Sequence, residues 1–143
     1  MRNRVRRVRA TVSAIGVGLL IATGAWAQDK PVTASNGWVK LPEAGATSTV
    51  AFATVENPGM YAIYLVSGTT DVAGKVEFRD ASKEDAVQED VTVDAYGTTY
   101  MDPKGVHIVL SELKRPLKEG ETVNLTLKTE LGLPVEVAAV VKK

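Results

Sequence analysis

Proline and glycine are the strongest constraint on what this chain can fold into. Pro31, Pro42, Pro58, Pro103, Pro116 and Pro134, with glycines between them, cut everything beyond residue 30 into short pieces. Proline lacks the amide hydrogen that a helix interior needs, so few of these pieces could hold an uninterrupted helix. What lies between the breaks alternates instead. Thr47 to Val55 interleaves small polar with apolar residues and ends in the turn residues Asn57-Pro58-Gly59. Trp38 to Leu41, Tyr61 to Ser67, Lys75 to Arg79, Val91 to Ala95, Val106 to Leu110, Glu121 to Lys128 and Val135 to Val141 read the same way. Eight short β-rich runs without helices between them predict an all-β antiparallel sandwich or barrel. Asp80 to Asp90 is the least strand-like stretch, a charged insertion expected to form a loop or one helical turn.

The first 27 residues are a different polymer. Arg2, Arg4, Arg6, Arg7 and Arg9 precede an apolar run from Val12 to Ala25, and Ala25-Trp26-Ala27 supplies the small-x-small pattern of a cleavage site. The run is short for a membrane span and polar residues follow at once. Residues 1–27 are therefore expected to be a signal peptide cleaved after Ala27, with an uncleaved anchor as the other reading. Arg6-Arg7 could serve a twin-arginine route, although the arginines alternating around it make a general export signal the simpler reading. The expected location is the periplasm or the exterior. Five of the 17 basic residues belong to this leader, which leaves 12 against 17 acidic ones, a formal charge of about −5 on residues 28–143. That sign argues against nucleic acid as a partner.

Composition removes most chemistries. With no cysteine there is no disulfide framework, thiol nucleophile or thiolate metal site. His107 is the single histidine, and its only nearby hydroxyl, Ser111, has neither a Gly-x-Ser-x-Gly setting nor a helical context, so no hydrolytic triad and no enzyme is expected. No glycine-rich phosphate loop follows a strand. The carboxylates from Asp80 to Asp90 lack the central glycine and terminal glutamate of an EF-hand and read as a solvated face. Asn124-Leu125-Thr126 matches a glycosylation sequon but lies inside an expected strand.

Several segments are familiar in order and spacing. Gly37-Trp38-Val39, Ala51 to Asn57, Tyr64 to Ser67, Val76-Glu77-Phe78, and Gly105 to Lys114 followed by Pro116-Leu117-Lys118-Glu119-Gly120-Glu121 resemble the PCu(A)C-type periplasmic copper chaperones. The resemblance runs from about residue 36 to the C-terminus. It implies a cupredoxin-like Greek-key antiparallel β-sandwich over residues 28–143, and a surface Cu(I) site that delivers copper toward the CuA centre of cytochrome c oxidase. Cytochrome c oxidase assembly proteins are the implied partners of a monomer with no membrane span after cleavage.

The family's ligands run His, roughly ten residues, Met, roughly twenty residues, His-x-Met, soft thioethers and imidazoles suited to Cu(I). Carried onto this chain, the first histidine falls on Arg79, the first methionine near Asp90, the second histidine on His107 and the second methionine on Val109. Neither a guanidinium nor a valine offers a lone pair. Arg79 and Asp90 are expected to face one another as a salt bridge where the metal joined two strands. Met101 and Met60 are the remaining soft candidates, so a displaced copper site built from His107, Met101 and Met60 is one reading, and methionines that fill core gaps are the other. Trp38 and Phe52 are expected in the core. Two functions stay open: an exported copper chaperone, or a module that keeps the fold without the metal.

Overall fold

The structure, a computed structural model, describes residues 30–143; the expected leader, residues 1–27, lies outside the described residues. Ten strands and no α-helix make up the described chain: β1 Thr33–Lys40, β2 Ser48–Glu56, β3 Ile63–Thr70, β4 Ala73–Asp80, β5 Ala86–Gln88, β6 Val91–Val93, β7 Thr98–Tyr100, β8 Val106–Leu113, β9 Thr122–Thr129 and β10 Pro134–Lys142. The eight expected runs all appear. Two three-residue strands, β5 and β7, were not foreseen. The charged stretch holds both a single 3-10 turn, Ala81–Lys83, and β5.

The strands follow one hydrogen-bonded path, β5-β4-β8-β2-β1-β10-β9-β3-β6, with β7 added to β2. The path folds over on itself, and the short Asp71-Val72 connection carries the chain from β3 near one end to β4 near the other. Alternation decides which side faces in. β9 and β10 bury every second residue, and Leu125, Leu127, Val137 and Ala139 meet Val39, Ala51, Leu65, Phe78, Ile108 and Leu110 in one core. Every pair is antiparallel except β1 with β10, which run parallel at the seam between the two layers. The expected all-β, cupredoxin-like sandwich is the observed fold, with that one parallel pair as its departure from a purely antiparallel sheet.

The seam explains one glycine. The β1–β2 register shifts between Ser35 and Trp38, with Asn36 in the left-handed region at φ 52°. At the next residue, a Cβ on Gly37 would lie 2.8 Å from the Ala138 carbonyl oxygen and 2.8 Å from Val137 Cγ1. A strand carbonyl cannot retreat without breaking its ladder. Gly37→Ala is therefore expected to destabilise the domain by about 1–3 kcal/mol, the usual cost of overpacking; an unchanged denaturation midpoint would show that the seam can widen.

Candidate functional site

Strands β4 and β8 pair antiparallel with Arg79 opposite His107, Phe78 opposite Ile108 and Glu77 opposite Val109. Because Phe78, Ile108 and Leu110 point into the core, Glu77, Arg79, His107 and Val109 share the outward face. The chain then returns over this face. Asp80 caps the 3-10 turn by accepting hydrogen bonds from the Ser82 amide at 2.9 Å and the Ser82 hydroxyl at 2.6 Å, and these bonds hold its carboxyl below the usual range. Glu84 and Asp85 both adopt left-handed backbone, at φ 55° and 60°, and turn the chain back so that β5 lies beside β4 with Val87 opposite Arg79. Two consecutive non-glycine residues in that region are costly and bring the Asp85 carboxylate back over the β4–β8 pair.

The Arg79 guanidinium donates to Glu77 Oε1 from Nη2 at 2.9 Å and from Nε at 3.2 Å, and its Nη1 lies 3.7 Å from Asp85 Oδ2. The hydrogen bond to Arg79 lowers the Glu77 carboxyl, and the same bond raises the guanidinium. Asp85 Oδ1 in turn lies 3.1 Å from His107 Nε2, while His107 Nδ1 is 3.0 Å from the Gly105 carbonyl. Both neighbours of this ring are acceptors. The ring satisfies both only when each nitrogen carries a hydrogen, and then it keeps no lone pair for a metal. The buried His107 is flanked by Phe52, with ring centroids 6.2 Å apart, and Phe52 by Trp38 at 4.5 Å. His107, Phe52, Trp38 and Pro103 line a recess of about 330 Å³.

This placement corrects two expectations. Arg79 does find carboxylates, but they are Glu77 and Asp85; Asp90 is exposed between β5 and β6 and takes no part among the ion pairs of the described residues. A tight left-handed turn returns residue 85, rather than residue 90, to the strand pair. Phe52 is buried as expected and Trp38 is only half-buried, but neither joins the central cluster. Phe52 is buried on the opposite side of the sheet from Ala51 and Ala53, in an outward aromatic row that covers His107.

The three candidate ligands are not brought together. Met101 is 5% exposed and packs in the core, with its amide bonded to Ala53 O. Met60 is 61% exposed in the connection between β2 and β3, beyond the end of β2. His107 alone lies on the outward face, with Val109 beside Glu77 across the strand pair. No group of three or more His, Asp or Glu side chains suited to a metal occurs among the described residues. Methionine does not make up the difference: with Met101 in the core, Met60 in the β2–β3 connection and Val109 beside Glu77, the outward face of β4 and β8 offers Cu(I) one imidazole and no thioether, so the residues present do not fit a four-ligand site. Glu77 and Asp85 escaped sequence reasoning, although Glu77 was legible, since residues two apart on a strand share a face.

The LpqE-like family model, described as that of a lipoprotein, matches residues 32–141. Lxx21020 of Leifsonia xyli subsp. xyli, named as a lipoprotein, is 30% identical over 117 residues, 78% of this chain and 69% of that one. The solution structure of Cu(I)-DR1885 from Deinococcus radiodurans superposes with a TM-score of 0.68 at 35% identity over 85% of each chain. The copper-bound PCuAC domain from PmoF2 gives a TM-score of 0.69 over 76% of this chain and 90% of that one, and at 21% identity it speaks for the fold alone.

Proposed function

We propose that this chain, which belongs to the LpqE-like family, is an exported copper chaperone-like protein of the PCuAC kind that carries Cu(I) on a reduced surface site toward the CuA centre of cytochrome c oxidase. A solved relative at 35% identity is a Cu(I)-bound protein, and this supports a copper-carrying role over an enzymatic one. Location outside the cytoplasm agrees with the basic, apolar leader and with the lipoprotein naming of the family. Oxidase assembly proteins are the partners this reading implies.

The observation that carries it is the register of the β4–β8 pair, which sets His107, the one position at which the resemblance keeps a ligand, on the outward face directly opposite Arg79. Copper would reach His107 only after Asp85 leaves Nε2. Asp85 is exposed, sits on a strained turn and is free of core packing, so its withdrawal disturbs little.

A second reading is favoured by the Glu77-Arg79-Asp85-His107 cluster itself. A fixed guanidinium stands where the resemblance places a ligand, so the protein could work as a metal-free binding or scaffold module. A Cu(I) titration of the exported protein against a chromophoric chelator separates the two. Competition that weakens at least about tenfold in His107→Ala supports the carrier; no competition from the native protein retires it in favour of the module.

A further inference from the structure

The registers of β4, β8, β2, β1 and β10 set their outward side chains in rows. One row runs Arg79, His107, Phe52, Trp38 and Val140, and the next runs Glu77, Val109, Val50, Lys40 and Lys142. The two ends of these rows differ in charge. At the β4 end, Glu77 and Asp85 take up the Arg79 guanidinium. At the β1 end lies the recess of about 330 Å³ beside His107, with Trp38, Phe52 and Val50 as its apolar floor and Lys40 and Lys143 at its rim. No carboxylate lines it. His107 presents no open acceptor there, because its ring nitrogens are turned to the Gly105 carbonyl and to Asp85. Residues 28–143 carry 17 acidic residues against 12 basic ones, so a recess whose only charged side chains are lysines stands out against the rest of the surface.

We propose that this recess binds a small aromatic carboxylate, its ring against Trp38 and Phe52 and its carboxylate toward Lys40. Trp38 and Phe52 lie with ring centroids 4.5 Å apart and tilted by 35°, a surface on which a further ring can stack. The volume is near the lower end of the roughly 300–1,000 Å³ of small-molecule pockets, which suits one ring with a short arm rather than a length of chain. The charge selects an anion. Lys143 lies 4.0 Å from Glu119, whereas Lys40 and Lys142, opposite one another on β1 and β10, take no part among the ion pairs of the described residues. A carboxylate at the rim therefore gains a donor that no other acceptor holds, beside an apolar floor that excludes water. An aromatic amine would meet the same lysines as like charges, and an anion without a ring would leave the floor wet.

Trp38 is the single tryptophan of residues 28–143, so its fluorescence reports on the recess. Phenylacetate titrated into the exported protein should shift that emission saturably, with a Kd of about 1 mM or tighter. Phenylethylamine, the same ring with the opposite charge, should bind at least about tenfold more weakly, and acetate should shift nothing. Lys40 is exposed, so Lys40→Glu should keep the native circular dichroism spectrum and weaken phenylacetate at least about fivefold. Lys128→Glu makes the same change of charge on exposed β9 and should leave binding as it is. No copper is present in this titration, so its outcome is independent of the carrier reading. Absence of a saturable shift up to about 10 mM overturns the proposal. Equal binding of phenylethylamine, or equal losses in the two lysine variants, also overturns it, since neither would then depend on the charge at the rim. So does a ligand-free dimer in sedimentation velocity that Lys40→Glu dissociates, which would assign the recess to a second copy.

Discussion

Asn57→Ala should cost about 3–5 kcal/mol of stability, a large share of the roughly 5–15 kcal/mol that holds a domain of this size together. The side chain is buried, and its amide nitrogen donates to the carbonyls of Tyr61 at 2.8 Å, Val93 at 3.2 Å and Asp94 at 3.1 Å, while its Oδ1 accepts from the Gly59 amide at 3.0 Å. One side chain thereby closes its own turn and clamps it to the end of β6. Each bond contributes about 1 kcal/mol net, and the loss grows because the buried Val93 carbonyl has no water to replace the lost donor. Asn57→Asp is the sharper variant: it keeps the acceptor, removes both donor hydrogens and sets a carboxylate against three carbonyls, so it should be at least as damaging. Urea denaturation monitored by circular dichroism measures both. A midpoint for Asn57→Ala within about 0.5 kcal/mol of native would mean that water enters the turn and takes over the three carbonyls.

Asn57 also shows where sequence reading stops. Asn57-Pro58-Gly59 announces a turn by its own chemistry, because asparagine bonds its own backbone two residues on, and the Gly59 amide on Oδ1 is that bond. Its bonds to Val93 and Asp94 reach 36 and 37 residues away, and no local pattern encodes them. The long strands were legible because half-burial writes a period of two into β9 and β10. β5 and β7 were not, since three residues are too few to show a period and their pairing depends on partners elsewhere. The same limit explains Phe52. Alternation places it opposite Ala51 and Ala53, but aromatic character suggested a core, and nothing local reveals that the outward face of β2 is itself covered by Trp38. At the candidate site, the resemblance singled out Arg79, His107 and Val109, and the strand register sets all three on one outward face. The carboxylate that joins them was not legible, because the left-handed pair at Glu84 and Asp85 decides which carboxylate returns, and neither residue type advertises that backbone.

Arg79→His combined with Val109→Met should turn a chain with one outward ligand into one with three, and raise Cu(I) affinity by at least about 100-fold over the native protein. The register leaves little to rebuild. Residues 79 and 107 are directly opposite, and residue 109 lies on the same outward face two positions along β8, so two imidazoles and a thioether would converge without any change in strand pairing. Removing the guanidinium also takes a cation from Asp85, which loosens its hold above the strand pair and frees His107 Nε2. Arg79→Met alone separates the two effects: it deletes the cation and adds one thioether while leaving position 109 unable to ligate, so its gain should fall well short of the double variant. Glu77 would lose its strongest partner, and the carboxyl now held low by Arg79 should titrate nearer the ordinary range. The folded double variant must retain the native circular dichroism spectrum for the comparison to count. A double variant that folds and still fails to compete with the chelator would show that the outward face of β4 and β8 cannot gather ligands around copper, which removes the structural basis for His107 as the carrier's ligand and leaves the metal-free module as the reading that survives.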